Sequence, residues 1–313
     1  MKRVLVRSLM VICYYLGIDS LFYYLNRNAK RVITFHNVMP EEKESFRETI
    51  REISRRFRFS VDVNDVTTAT ITFDDGYCNQ YEIAAEVLRE EGNIPAILFG
   101  NVKALSARSH REALPIDLIG FWIRHVPADV LQKETGYSDR FKANVCFMKA
   151  KFRADVEHFG RAVLEHLDSV YPLDGLFAQC DPEWLRLRYT GISESCLDDL
   201  RRRGWIIGWH MVNHFPLARI KDEHLLTVEL TPSEAFKNLP TAYPFGLAED
   251  FNETVKRVAS KSSFACAFAN FDLRDSDNWA RRRFTQLEDK YRIHFELSGA
   301  KYFLKYRKLL SRY

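Results

Sequence analysis

Apolar positions along this chain follow two periods in turn. Short β-prone runs occur at 31–35, 67–73, 94–99, 205–209, 241–243 and 264–269. Between them the apolar residues recur at helical spacing, as Phe46, Ile50, Ile53 and Phe57 do within 41–57. Further helices are expected over 81–91, 193–203 and 248–260, with Gly92 stopping the first. Strands alternating with helices predict parallel pairing, hence an α/β barrel or doubly wound sheet that collects its chemistry at strand ends. The segment 101–185 interrupts this rhythm: helical stretches at 116–124 and 154–167 mark it as a helical insertion, placed to cover a groove.

Composition changes the picture only slightly. The 313 residues contain no repeat and no Pro/Gly/Ser-rich linker, which argues for one domain over 31–300 with short decorations at each end. Charge is more informative. The net charge is +4, yet residues 1–31 carry +5 and residues 301–313 another +5, so the body is about −6. Two basic ends on an acidic body point to an anionic membrane surface as a peripheral contact, and no nucleic-acid motif accompanies the charge. The uncharged run 8–18 is too short to span a bilayer, and no small-residue cleavage site follows it, so 1–30 is expected to be a hydrophobic, basic helix. Residues 301–313 have apolar and basic positions at helical spacing and are expected to form a basic amphipathic helix. Six cysteines without a C-x-x-C pair fit a reducing compartment, so the expected location is cytoplasmic or peripheral to the membrane.

Three polar motifs stand at strand ends. Ile71-Thr72-Phe73-Asp74-Asp75-Gly76-Tyr77 puts two carboxylates after the second major strand. Alone, Asp-Asp-Gly is an ordinary turn. His210 and His214 lie four apart, a spacing that aligns two imidazoles on one face of a helical turn. Joined to Asp75 they make a two-His, one-carboxylate set, which leaves positions open for water and substrate. Tyr243-Pro244-Phe245-Gly246 follows a later strand and alone reads as a tight connection.

Taken in order, T-F-D-D-G, then G-x-H-x-x-x-H, then Y-P-F-G resembles the polysaccharide deacetylase family, the NodB-homology group of carbohydrate esterases. The flanks 33–38, 94–99 and 197–214 resemble it as well, so the likeness covers about 30–300. It implies a distorted (β/α) barrel with a divalent ion, commonly zinc, at one mouth. Asp75, His210 and His214 match the metal ligands, and Asp74 matches the general base. Backbone around Tyr77 and the segment Tyr243-Pro244-Phe245 would line the sugar groove. The chain also departs from the pattern. Thr241 stands where the family often has Arg, and no late L-x-H motif supplies the general acid. His36, at the end of the first strand, is the better candidate for that role, and His294 the weaker one. The implied activity is removal of an N-acyl, chiefly N-acetyl, group from an amino sugar in a surface glycan or glycolipid. Its rivals are deformylation or deacetylation of a lipid-linked sugar at the membrane, and a catalytically impaired glycan-binding member of the fold.

Overall fold

A computed structural model describes residues 2–147, 159–270, 276–285, 287 and 289–312. Its centre is a parallel sheet in the order β1 (Arg31–Phe35), β3 (Thr68–Asp75), β4 (Ala96–Gly100), β5 (Ile206–Trp209), β6 (Thr241–Ala242) and β7 (Ala267–Phe268), with the short β2 (Arg58–Phe59) beside the start of β3. Every residue of β3 and β4 is buried, as strands covered on both faces must be. The sheet curls. Residues 281–284 lie between its two outer strands, Arg281 bridging to Phe268 of β7 and Phe284 to Ile33 of β1. The architecture is therefore the distorted α/β barrel that the resemblance implies, one of the two arrangements that the strand pattern left open.

Helices pack around it much as the periodicity predicts, with ends a few residues shorter than expected. The 41–57 expectation becomes Lys43–Ser54, burying Phe46, Ile50 and Ile53. The 193–203 expectation becomes Glu194–Arg202, capped by Ser193. The helix expected over 248–260 starts only at Glu253, because Asn252 caps it and residues before it form a turn. Within the insertion, Pro115–His125 and Phe159–Val170 pack together over a core that includes Tyr77 and Tyr189, while 154–158 of the expected helix lie outside the described residues.

The two ends differ from expectation. The first thirty residues form two helices, Lys2–Tyr15 and Ile18–Leu25, bent by 80° at Gly17, whose φ is 71°. Among the described residues no single helix is long and apolar enough to cross a membrane. At the other end the helix runs only from Ala300 to Tyr306 and stops where Arg307 turns left-handed (φ 57°). The rest folds back: Leu310 N donates to Asn26 Oδ1 (2.7 Å) and Lys30 N to Arg312 O (3.1 Å). Residues 307–312 therefore do not continue the amphipathic helix, because Leu310 fills a gap beside Gly299 and Asn26.

Candidate metal centre

The centre is built at the C-terminal ends of β3 and β5. Adjacent residues of a regular strand point to opposite faces, so two consecutive aspartates cannot both face one mouth on a regular pleat. At Asp75 the chain leaves the pleat: φ is 80° there and 100° at Gly76. Both carboxylates are consequently buried near one point, with exposures of 2% for Asp74 and 5% for Asp75. A non-glycine residue held left-handed costs about 1–3 kcal/mol, and such strain concentrates at functional sites.

His210 directly follows β5, its amide donating to Gly100 O (3.0 Å). Its Nδ1 lies 2.8 Å from Ala242 O. A carbonyl only accepts, so Nδ1 carries the proton and Nε2 presents its lone pair. His214 arrives by a different route from the one its spacing implied. Residues 210–214 are not helical: Met211 (φ 63°) and His214 (φ 59°) are both left-handed. The loop takes this form because the Glu229 carboxylate accepts from Val212 N (2.9 Å), Asn213 N (3.0 Å) and the Asn213 side chain. Asn101 braces the other side. Its amide donates to Asp75 O (2.9 Å) and its Nδ2 to His210 O (2.9 Å) and Met211 O (3.1 Å).

The result brings the three expected ligands together. His210 Nε2 and His214 Nε2 lie 3.7 and 3.4 Å from Asp75 Oδ1, and one ligand atom from each residue falls within 4.8 Å of the others. Ligand atoms around a tetrahedral zinc sit roughly 3.3–3.5 Å apart, so the set is close to coordination distance. Asp75 Oδ1 is buried without a hydrogen-bond partner among the described residues, and so is His214 Nδ1. An orphaned buried carboxylate oxygen between two imidazoles is an arrangement that a cation would satisfy.

Electrostatics point the same way. Burial, reinforced by Asp117, pushes Asp75 up to about 7, even though Arg188 and His36 oppose the shift. Burial brings His210 down to about 3 and also lowers His214, so both imidazoles are available as neutral ligands. Asp74 is treated differently. Burial alone would raise it, but Arg283 outweighs that and holds it well below the usual carboxylate range. Arg283, itself fully buried, donates from Nη1 to Oδ1 (2.6 Å) and from Nη2 to Oδ2 (2.8 Å), a bidentate clamp.

The remaining expected residues divide. His36 is half-exposed, with Nε2 3.7 Å from Asp74 Oδ2, so it stands beside the centre without belonging to the ligand set. Phe245 packs its ring 4.9 Å from that of His214. Pro244 is buried next to it. Tyr77 and Tyr243 turn their side chains inward. Tyr77 OH donates to Asp117 Oδ2 (2.7 Å) and Tyr243 OH to Trp279 O (2.8 Å), both rings being fully buried. Neither phenol can line a groove; only the backbone of these two residues is available for that. His294 is held by Glu52 (2.8 Å) and Tyr23 (3.3 Å) beside the N-terminal helices, which removes it from the chemistry.

Sequence reasoning missed Arg283, Asp117, Asn101 and Glu229. Asn101 had a visible signal, an Asn between strand and helix where a cap is favoured, and it does cap Lys103 and Ala104. Arg283 sits in a run of three arginines, which resembles a solvated face, yet Arg281, Arg282 and Arg283 are all buried.

No protein-family model and no curated protein sequence matches the chain. Solved structures do. The Streptococcus pyogenes deacetylase PplD, in complex with acetate, aligns at a TM-score of 0.50 and 11% identity, over 83% of this chain and 93% of that one. IcaB from Ammonifex degensii aligns at 0.47 and 14% identity, over 87% and 96%. A de-N-acetylase from Aggregatibacter actinomycetemcomitans aligns at 0.44 and 12% identity, over 83% and 95%. The first of these likenesses shows that the chain has the barrel fold of that deacetylase.

Proposed function

We propose that this protein is a metal-dependent hydrolase that removes an N-acyl group, foremost N-acetyl, from an amino sugar of a glycan. The observation that carries the reading is the buried, unpartnered Asp75 Oδ1 facing two histidines, with the clamped Asp74 beside it. Asp75, His210 and His214 would hold a divalent ion, zinc being the one that suits two imidazoles and a carboxylate. When bound, the ion supplies the Lewis acidity that an amide, a poor electrophile, requires.

The other roles belong to the chain itself. Asp74 is the general base: its carboxylate is kept ionised and aimed by Arg283, and it accepts the proton of the attacking water. A base with so low a pKa would suffice because an ion held by Asp75, His210 and His214 would acidify that water. His36 is placed to deliver a proton to the departing amine. The 243–246 turn, with Phe245 against His214, shapes the pocket beside the amide. The intact ligand set, with Arg283 supplying a cation beside Asp74 where Thr241 cannot, argues against an impaired glycan-binding protein.

A peripheral contact with an anionic membrane rests on a separate observation. Val6, Leu9, Ile12 and Leu16 are 39–71% exposed along one side of the N-terminal helical region. That surface leads directly into the N-terminal end of β1, whereas the metal centre lies at the strands' C-terminal ends. β3, at about 3.3 Å per residue, separates the two by roughly 20–25 Å. The mouth thus lies at the far end of the strands from where this helical region joins the sheet, which supports a glycan over a lipid-linked sugar as substrate. The reading is tested by supplying the zinc-loaded protein with N-acetylated chitooligosaccharides and, in parallel, an N-acylated lipid-linked sugar. Acetate is expected from the former; no acid from either would overturn it.

A further inference from the structure

Beside His214 a cleft opens between the insertion and the loop that follows the metal histidines. Its inner part is lined by Lys103, Ile116, Arg161, His214 and Phe215, and its outer part, ≈ 580 Å³, again by Lys103, Arg161 and Phe215. Two cations therefore face one space that runs up to a metal-ligand residue. They come from different elements, Lys103 from the short helix after β4 and Arg161 from the insertion helix Phe159–Val170. Arg161 is near enough that, after burial, it is the main influence lowering the Lys103 pKa.

Like charges gathered in this way repel, and the described residues do little to offset them. Neither Lys103 nor Arg161 forms an ion pair or a side-chain hydrogen bond among the described residues. Glu229 attracts Lys103, but its oxygens are already engaged by the 212–213 backbone and the Asn213 side chain. Glu165, one turn along from Arg161, lines only the outer part. Among the described residues, nothing else occupies the two cations, which leaves them to a ligand.

We infer that Lys103 and Arg161 form a subsite for an anionic group, phosphate or carboxylate, carried by the glycan next to the amide that reaches the metal centre. This rests on the hydrolase reading of that centre and adds the substrate's charge to it. It also gives the insertion a task beyond covering a groove, since Arg161 belongs to it. An anionic sugar gains from both cations at once, whereas a neutral one leaves them facing each other in water.

The test is a calorimetric titration of the zinc-loaded protein with three sugars: N-acetylglucosamine 1-phosphate, a disaccharide of N-acetylglucosamine and glucuronate, and neutral methyl N-acetylglucosaminide. Each exposed ion pair contributes a factor of a few, so about tenfold tighter binding of at least one acidic sugar is expected. The preference should shrink as salt is raised. It should disappear in Lys103→Gln/Arg161→Gln and survive in Lys103→Arg/Arg161→Lys, with zinc content and unfolding midpoint unchanged in both. The phosphate and glucuronate arms tell which anion the subsite takes. Equal affinity for all three sugars, no binding of any, or a preference that persists in the Gln variant would overturn the subsite, the last by assigning the anion to the metal. Binding is read without turnover. A protein that prefers acidic sugars yet releases no acid from them keeps the subsite and loses the hydrolase reading.

Discussion

Asp74 and Asp75 are neighbours with opposite surroundings, and the difference assigns their work. Asp74 is neutralised by Arg283; Asp75 has no Lys or Arg in contact among the described residues, and burial pushes it up to about 7. Substituting Asp74→Asn keeps the shape and one acceptor for Arg283 but removes the proton acceptor. Turnover should fall about 10²–10⁴-fold with zinc content unchanged. Measuring both on one preparation separates the roles, since retained turnover would exclude Asp74 as base. Asp75 leads to a prediction about protons. To bind an ion it must be ionised, so below about 7 the ion competes with its proton, and affinity rises with pH until about 7 and then levels. His210, lowered to about 3, is already neutral throughout that range, and burial moves His214 the same way. Zinc binding at pH 6.5 should therefore release about one proton per ion, measured by calorimetry in buffers of different ionisation enthalpy. Release of two or more would mean that the histidines are charged in the metal-free protein.

At the scale of elements, the strands were legible and the loops that aim the ligands were not. β1 appears with its expected bounds because 31–35 is an uninterrupted β-prone run, and the aspartates stand where the second major strand ends. The histidine spacing was informative about convergence but misleading about conformation. Four residues separate two ligands equally well in a helical turn and in a loop with two left-handed residues, and only the tertiary partner Glu229 selects the loop. Arg283 was invisible for a related reason: 281–284 touches its neighbouring strands by single bridges, too short a stretch to impose a period-two pattern. Glu229 should consequently matter to the metal without touching it. Glu229→Ala leaves two backbone donors of the loop without their acceptor, and loss of such an outer partner typically costs about 10–100-fold in metal affinity. Competition against a chelator of known affinity measures this. An unchanged affinity would show that Asn101, which holds His210 and Met211 from the opposite side, is sufficient by itself.

For the whole molecule, charge asymmetry was legible from composition, but the different conformations of the two ends were not. The C-terminal segment spends Tyr302 and Leu310 on packing against the body, so its apolar positions are not all free to meet lipid. The N-terminal helices have the opposite character. Met10 and Cys13 face inward, while Val6, Leu9, Ile12 and Leu16 face out at three- or four-residue intervals, with Leu21 and Tyr24 continuing beyond the bend. Two short helices joined at 80° suit a shallow position in an interface better than a crossing. Each nearby cation adds roughly 1 kcal/mol at an anionic leaflet, so the protein should sediment with anionic vesicles, less with neutral ones, and less again as salt rises. Ile12→Asp/Leu16→Asp should abolish the sedimentation while leaving the unfolding midpoint and zinc content nearly unchanged, because Ile12 is half-exposed and Leu16 mostly exposed. Removing the charge of Lys305 and Lys308 should have a smaller effect, since the helix ends at Tyr306 and does not carry Lys308 on one face with Lys305. Binding that ignores the Asp substitutions but fails without the C-terminal lysines would reverse this assignment, and indifference to lipid charge would leave both ends a purely structural part in closing the barrel.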